Sequence, residues 1–141
     1  MTKELLSYED LSEGMELPEV QKGPITRQQL VDYASASGDY NKLHFDESFA
    51  KKAGLKKCIA HGMLQMAMVG SYITNWAKGG TLNNFNIRFT GMANENDTLT
   101  FKGKILKKYQ ENGKNLVEIS VLSETQEKRT TTQGSAIITF P

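Results

Sequence analysis

The sequence predicts an α+β domain in which one long buried helix is wrapped by an antiparallel sheet. Two observations carry that expectation. From Gly62 to Lys78, "GMLQMAMVGSYITNWAK" has no proline and no charge before Lys78. Its apolar residues run nearly all round a helix of about 25 Å, so most faces need burial. After Gly79-Gly80 the apolar period changes from helical spacing to two, in segments rich in β-branched and aromatic residues. The 141 residues suffice for one real core, and no linker, repeat or low-complexity run divides 1–141, so the reading is a single domain.

The elements follow in order. "YEDLSEGMELP" predicts a short helical turn and then a turn at Gly14. "PEVQKGP" predicts an extended edge segment ended by Gly23 and Pro24. "ITRQQLVDYASASGD" predicts a helix with Thr26 as N-cap, Gln29 three residues on as in a capping box, and Gly38 as its stop. Leu30, Tyr33, Ala34 and Ser37 share one face. "DESFAKKAGL" repeats the logic: Asp46 caps, Phe49, Ala50 and Ala53 face inward, and Gly54 ends it. The strands are "LNNFNIRFTG", "DTLTFKGKILKKYQ", "NLVEISVLSET" and "TTTQGSAIITF". "ENGK", from Glu111 to Lys114, is a strong hairpin signal, and "QEKR" turns the next pair.

Composition narrows the function classes. A formal charge of +1 does not suggest a bulk nucleic-acid or membrane binder. No apolar run approaches the ~20 residues of a membrane-spanning helix, and the N-terminus lacks the apolar stretch of a signal peptide. The single cysteine, Cys58, forms no intramolecular disulfide and fits a reducing compartment. These features together read as a cytoplasmic protein.

Chemistry concentrates in "SGDYNKLHFDES", which packs Gly38, Asp39, Asn41 and His44 into seven residues. Two readings fit it. Asp39 and Asn41 suit a turn, because both residue types bond their own backbone, and His44 suits a hydrogen-bonded structural histidine. Alternatively a carboxylate and an imidazole converge on one water or hydroxyl, with the imidazole exchanging a proton near neutrality. Asn41 then positions one of them or binds substrate. The second of the two histidines, His61, opens "HGML". A helix starting at Gly62 has N–H groups without intrahelical partners, and they favour negative charge before the helix. Glycine lets a ligand approach that backbone closely, and a thioester carbonyl becoming an enolate would suit such a site. Gly62 equally suits tight packing of helix on sheet.

"YASASGDYNKLHFDESFAKKAG" followed by "HGML" resembles the hydratase motif of the MaoC-like, R-specific enoyl-CoA hydratases. Tyr33, then Ser37-Gly38-Asp39-Tyr40-Asn41-Lys42-Leu43-His44, with Ala50 close behind, carry the likeness. "IRFTGMANENDTLTFKGKI" resembles the family's strand pair, and the similarity runs from about Pro24 to Lys104. The resemblance implies a hotdog fold, a long central helix in a curved antiparallel sheet. It implies a homodimer or dimer-based oligomer with active sites near the interface. It implies Asp39 and His44 as the acid/base pair on water and the Gly62 N–H as the oxyanion donor. The expected reaction is reversible addition of water to trans-2-enoyl thioesters of coenzyme A or acyl carrier protein, giving (R)-3-hydroxyacyl thioesters. No metal or redox cofactor is expected, since the thioester is itself the electron sink.

Three positions depart from the family's pattern. Its proline after Asn is Lys42 here. A serine that some relatives carry in the central helix is matched by Ala67. The glycine before Asp-Thr is Asn96, which also takes a left-handed conformation. Candidate substrate contacts are Asn41, His61, Met63 and Arg88, the last as a phosphate partner. Lys51, Lys52, Lys56 and Lys57 form a solvated surface or a second phosphate contact, and Met63, Met66 and Met68 fill core or border an acyl tunnel. A Cys58–His61 nucleophile lacks a third orienting group, and a zinc site from Cys58, His61 and His44 lacks the usual paired spacing. Two rivals remain: an acyl-thioesterase of the same fold, which the D-x-N-x-x-H spacing opposes, and a non-catalytic subunit of a heterodimer, which the presence of both Asp39 and His44 opposes.

Overall fold

Alternating burial along four long strands fixes which face of the sheet receives the helix. A computed structural model describes residues 5–141. After a 3-10 turn at Tyr8–Asp10 come strand β1 (Val20–Lys22) and helices α1 (Arg27–Ser37), α2 (Glu47–Lys52) and α3 (Gly62–Trp76). Strands β2 (Thr81–Phe89), β3 (Leu99–Glu111), β4 (Lys114–Glu124) and β5 (Thr130–Phe140) follow. The five strands form one antiparallel sheet in the order β1-β3-β4-β5-β2. This is the expected α+β architecture, with "PEVQKGP" supplying the short edge strand.

Period-two burial makes the core. Phe101 and Ile105 of β3, Val117, Ile119 and Val121 of β4, and Ala136 and Ile138 of β5 are all buried. They share one face by strand alternation, and helix α3 packs against the sheet at β2 and β4. The α3 side of this core is Leu64, Val69, Tyr72 and Ile73, and the Tyr72 ring stacks on Phe101 with centroids 5.8 Å apart. The hairpin at "ENGK" closes where Glu111 faces Lys114. Asn112 and Gly113 both take positive φ there, 51° and 76°, as a two-residue turn between right-twisted strands requires.

The caps match the sequence expectation. Thr26 accepts from the Gln29 N–H at 3.1 Å, and Asp46 accepts from Phe49 N–H at 3.1 Å. Gly38 ends α1 at φ 77°, ψ 6°, its N–H donating to Ala34 O, a left-handed geometry that glycine adopts without steric cost.

Three expectations are corrected. Helix α3 stops at Trp76 rather than Lys78, because Ala77 leaves helical geometry (ψ 48°) and Gly80 N–H bonds back to Ala77 O at 2.9 Å. It is also less enclosed than its composition suggests. Met63, Ala67, Ser71, Thr74 and Asn75 stay exposed, because one sheet face covers only part of a helix's circumference. In α2 only Ala50 is buried, while Phe49 and Ala53 are exposed; six residues present one line of contact.

The uncovered side of α3 borders a cleft of about 750 Å³ lined by Val20, Pro24, Leu64, Ala67, Met68 and Phe101, among others. Tyr72 OH donates to Pro18 O at 2.8 Å and holds the segment before β1 over that cleft. Burial pushes the Tyr72 phenol up to about 12, so it remains a donor throughout the physiological range.

Candidate active site

Local turn chemistry builds the first half of the site. Beyond Gly38 the Asp39 N–H donates to Ser37 Oγ at 3.2 Å. Asp39 Oδ1 then accepts the Asn41 N–H at 3.2 Å, and Asn41 Oδ1 accepts the Leu43 N–H at 3.1 Å. These are side-chain-to-backbone turns two residues long, so the turn reading of Asp39 and Asn41 is correct as far as it goes. Asn41 caps the 3-10 turn Lys42–His44. Lys42 stands at that turn's first position, where a backbone N–H has no intrahelical acceptor and a proline is equally accommodated. The proline-to-lysine departure therefore leaves the turn intact.

The turn delivers His44 to Asp39. His44 Nε2 lies 3.9 Å from Asp39 Oδ2, with the His44 side chain 11% exposed and Asp39 53%. On its far edge His44 Nδ1 is 2.7 Å from Ile59 O. A carbonyl can only accept, so Nδ1 carries a proton, and in the neutral imidazole it is the Nε2 lone pair that faces Asp39. One carboxylate oxygen holds the turn; the other faces His44 Nε2 across 3.9 Å.

His61 is the N-cap residue of α3 and makes no side-chain cap bond. Its ring is 2% exposed and lies face to face with His44, with 3.6 Å between centroids and 22° between planes. Tyr33 of α1 meets it edge-on at 4.8 Å. His61 Nε2 is 3.2 Å from Asp39 O and so donates to it. Desolvation by burial holds the His61 imidazole below its ordinary range, and the neighbouring His44 adds to that; the bond to Asp39 O and the Asp39 charge act the other way. Ligating atoms of Asp39, His44 and His61 lie within 4.8 Å of one another. The near-parallel rings send their in-plane lone pairs past each other, however, and His61 Nε2 keeps its proton for a carbonyl. The set suits proton transfer better than metal binding.

Distant elements hold the second half. Segment 58–60 runs between the His44 loop and residues 93–95: Ile59 N–H donates to Leu43 O at 3.2 Å, Ala60 N–H to Ala93 O at 2.8 Å, and Glu95 N–H to Cys58 O at 2.9 Å. Arg27 grips Glu95 with two bonds, Nε–Oε2 at 2.6 Å and Nη2–Oε1 at 2.9 Å, and its Nη1 reaches Phe45 O at 3.3 Å. Asn96 turns this loop at φ 75°, the left-handed conformation expected of it. Buried Asp97 fastens the loop by accepting from Asn94 N–H at 2.8 Å and Gln126 Nε2 at 2.9 Å. The Arg27–Glu95 clamp joins residues 68 apart; no local pattern in the sequence pairs them.

Gly62 opens α3 immediately beyond His61. A Cβ there would lie 3.3 Å from Phe89 Cζ, so the glycine does admit a close approach of sheet and helix. Met63 follows, 58% exposed. The remaining candidate contacts are His61, Asn41 and Arg88. His61 is stacked behind His44 and buried, so its ring offers substrate no surface. Asn41 spends its oxygen on the backbone. Arg88 alternates with Ile87 and Phe89, and Phe89 faces α3 at Gly62. Arg88 therefore points to the other face of the sheet, where it lines a separate cleft with Asn86, Lys102 and Lys104. Within one chain it does not reach the Asp39–His44 pair. Cys58 is fully buried, and desolvation pushes its thiol up, which disfavours the nucleophilic thiolate.

The chain is similar to known proteins. The model of the family described as MaoC like domain matches residues 11–128. The peroxisomal hydratase-dehydrogenase-epimerase of Neurospora crassa is 39% identical over 74 residues, 52% of this chain and 8% of that protein. The 3-hydroxybutyryl-CoA dehydratase of Methylorubrum extorquens is 32% identical over 69 residues, 49% of this chain and 43% of that protein. The matched segments span less than half the length of either curated relative. Among solved structures, the unliganded R-hydratase PhaJ1 from Pseudomonas aeruginosa superimposes with a TM-score of 0.85 at 28% identity, covering 95% of this chain and 84% of that one.

Proposed function

The chain belongs to the MaoC-like domain family, and on that premise we propose that it hydrates trans-2-enoyl thioesters to (R)-3-hydroxyacyl thioesters and catalyses the reverse dehydration. The observation that carries the reading is the 3.9 Å approach of His44 Nε2 to Asp39 Oδ2. Two acceptors at that separation bind both hydrogens of one water, leaving an oxygen lone pair directed outward. As that oxygen bonds to the β-carbon, His44 Nε2 takes a proton. The π electrons move to the thioester carbonyl, and the enolate oxygen accepts a hydrogen bond from Gly62 N–H. The acid/base pair returns a proton to the α-carbon, so water is added across the double bond and the enzyme ends as it began. Names of the relatives support the chemistry: hydratase and dehydratase recur among them.

The proposal treats residues 1–141 as one domain, supported by a single sheet that every described strand joins. It also takes two copies as the working unit. Among the described residues strand β2 pairs only with β5, leaving a nine-residue edge of the kind that recruits a second strand. Exposed Phe89, at 48%, lies at its end beside Gly62, with Met63 next in sequence. The thioester carrier is coenzyme A or acyl carrier protein. A cytoplasmic site of action is part of the same reading, supported by the lone reduced Cys58. No helix among the described residues is long and apolar enough to cross a membrane.

Crotonyl-CoA tests the proposal. Loss of the conjugated enoyl absorbance with formation of the (R)-3-hydroxy product is the expected result. Release of free thiol without loss of the enoyl group would instead establish a thioesterase, and neither change would point to a non-catalytic subunit.

A further inference from the structure

We infer that His61 is a positioning residue, which holds the Asp39 backbone through its Nε2–H and the His44 ring through stacking while never touching substrate. The inference rests on the hydratase reading and assigns a new role within it. Three rings from three separate parts of the chain form one column: Tyr33 from α1, His61 at the head of α3, and His44 from the 3-10 turn. The middle ring is buried and the outermost carries the reactive nitrogen. The carbonyl of Asp39 accepts from His61 at 3.2 Å, and no other backbone or side-chain donor among the described residues reaches it. The Asp39 side chain is 53% exposed, so this tie from the core side adds to the Asn41 N–H bond in fixing where the carboxylate stands.

An unsatisfied atom shows that packing alone does not explain an imidazole here. His61 Nδ1 is buried with no hydrogen-bond partner among the described residues, as is Gln65 Oε1 one helical turn on. A buried acceptor without a donor is destabilising, and a phenyl ring fills a similar slot without one. What phenylalanine lacks is the Nε2–H that reaches Asp39. The stack also requires that the pair carry at most one positive charge when His44 takes its proton. The titratable groups facing His61 are His44, Asp39 and Tyr33, and burial keeps the inner ring neutral.

Two variants separate positioning from packing. His61→Phe keeps an aromatic ring and removes the N–H. His61→Gln removes the ring and restores a donor near Nε2. The measurements are thermal melts, kcat and KM on crotonyl-CoA, and long-range proton–nitrogen spectra of the imidazoles. The expected result is an inverted order. His61→Phe melts at or above the wild type but loses at least tenfold in kcat with KM nearly unchanged, whereas His61→Gln melts lower yet keeps more kcat than His61→Phe. Wild-type kcat in His61→Phe, or rates that track stability in both variants, would overturn the inference. So would spectra showing the wild-type His61 proton on Nδ1 at neutral pH. If the wild type itself fails to hydrate crotonyl-CoA, the hydratase reading fails by that result. The tautomer, together with amide exchange in Asp39–His44, faster in His61→Phe than in the wild type, then still decides whether His61 holds the loop.

Discussion

The carboxylate of Asp39 divides its two oxygens between structure and chemistry: Oδ1 accepts the Asn41 N–H at 3.2 Å, while Oδ2 faces His44 Nε2 at 3.9 Å. The same side chain that shapes the turn presents the reactive atom, so the turn reading and the catalytic reading of this stretch describe one residue in two roles. That division makes a clean substitution available. Asparagine retains an oxygen for the turn and loses the charge.

Asp39→Asn and His44→Gln are each expected to lower the hydration rate by about two decades or more, the range for loss of a general acid or base. The double variant falls little further, because the two groups act on one water as a unit. Steady-state kinetics beside circular dichroism check this; near-wild-type turnover in either folded variant refutes the assignment.

At Gly62 the structure refines what a side chain would strike. An alanine Cβ meets the Phe89 ring at 3.3 Å, and that ring is half exposed and able to give. Valine adds two methyl groups where helix, Phe89 and thioester meet. Gly62→Val is expected to lose about two decades in rate, close to the 3 kcal/mol of one oxyanion donor, and to lose far less stability. Gly62→Ala loses less of both. Kinetics paired with thermal melts read the two effects, and parallel losses would leave Gly62 a packing residue only.

Arg27 acts at a distance from the chemistry. Arg27→Gln removes the two-point grip on Glu95 and the bond to Phe45 O, next to His44. With Arg27 38% exposed and Glu95 14%, solvent screening limits the cost to about 1–2 kcal/mol. The rate is expected to fall several-fold through loosening of the His44 turn. Urea titration of Arg27→Gln, Glu95→Gln and the double variant tests the pairing. Additive losses would mean that the clamp contributes nothing as a pair.

Acid weakens the fold through His61. The folded chain holds this imidazole below its ordinary value of 6.5, chiefly by desolvation, so the unfolded chain binds the proton more readily. Its contribution to stability is fully present above pH 6.5 and is lost as pH falls from there through the folded value. Carboxylates held low, such as Glu124 beside Lys102, begin to weaken the fold only below about 4.5, so the windows separate. Melting temperatures from pH 8 to pH 5 are expected to decline in the wild type and to stay flatter in His61→Phe. Equal slopes would remove His61 as the cause.

The α+β class, the caps at Thr26, Asp46 and Gly38, the hairpin at Asn112-Gly113 and the long helix from Gly62 were all legible in the sequence. Each depends on residues within a few positions of one another, through backbone preference, short side-chain bonds or the period of apolar residues. The "DYNKLH" stretch was legible as a turn and as an acid/base pair for the same reason: Asp39 and His44 lie five residues apart, and the turn between them is built from its own side chains. Only the tertiary structure decided which atoms face which. It sent Arg88 to the far sheet face, because strand alternation is anchored by Phe89 on α3. It stacked His61 behind His44, and it joined Arg27 to Glu95 across 68 residues. It also left one stripe of α3 uncovered. These outcomes rest on how sheet, helix and loops pack together, and no local pattern encodes a contact whose partner is chosen by the whole fold.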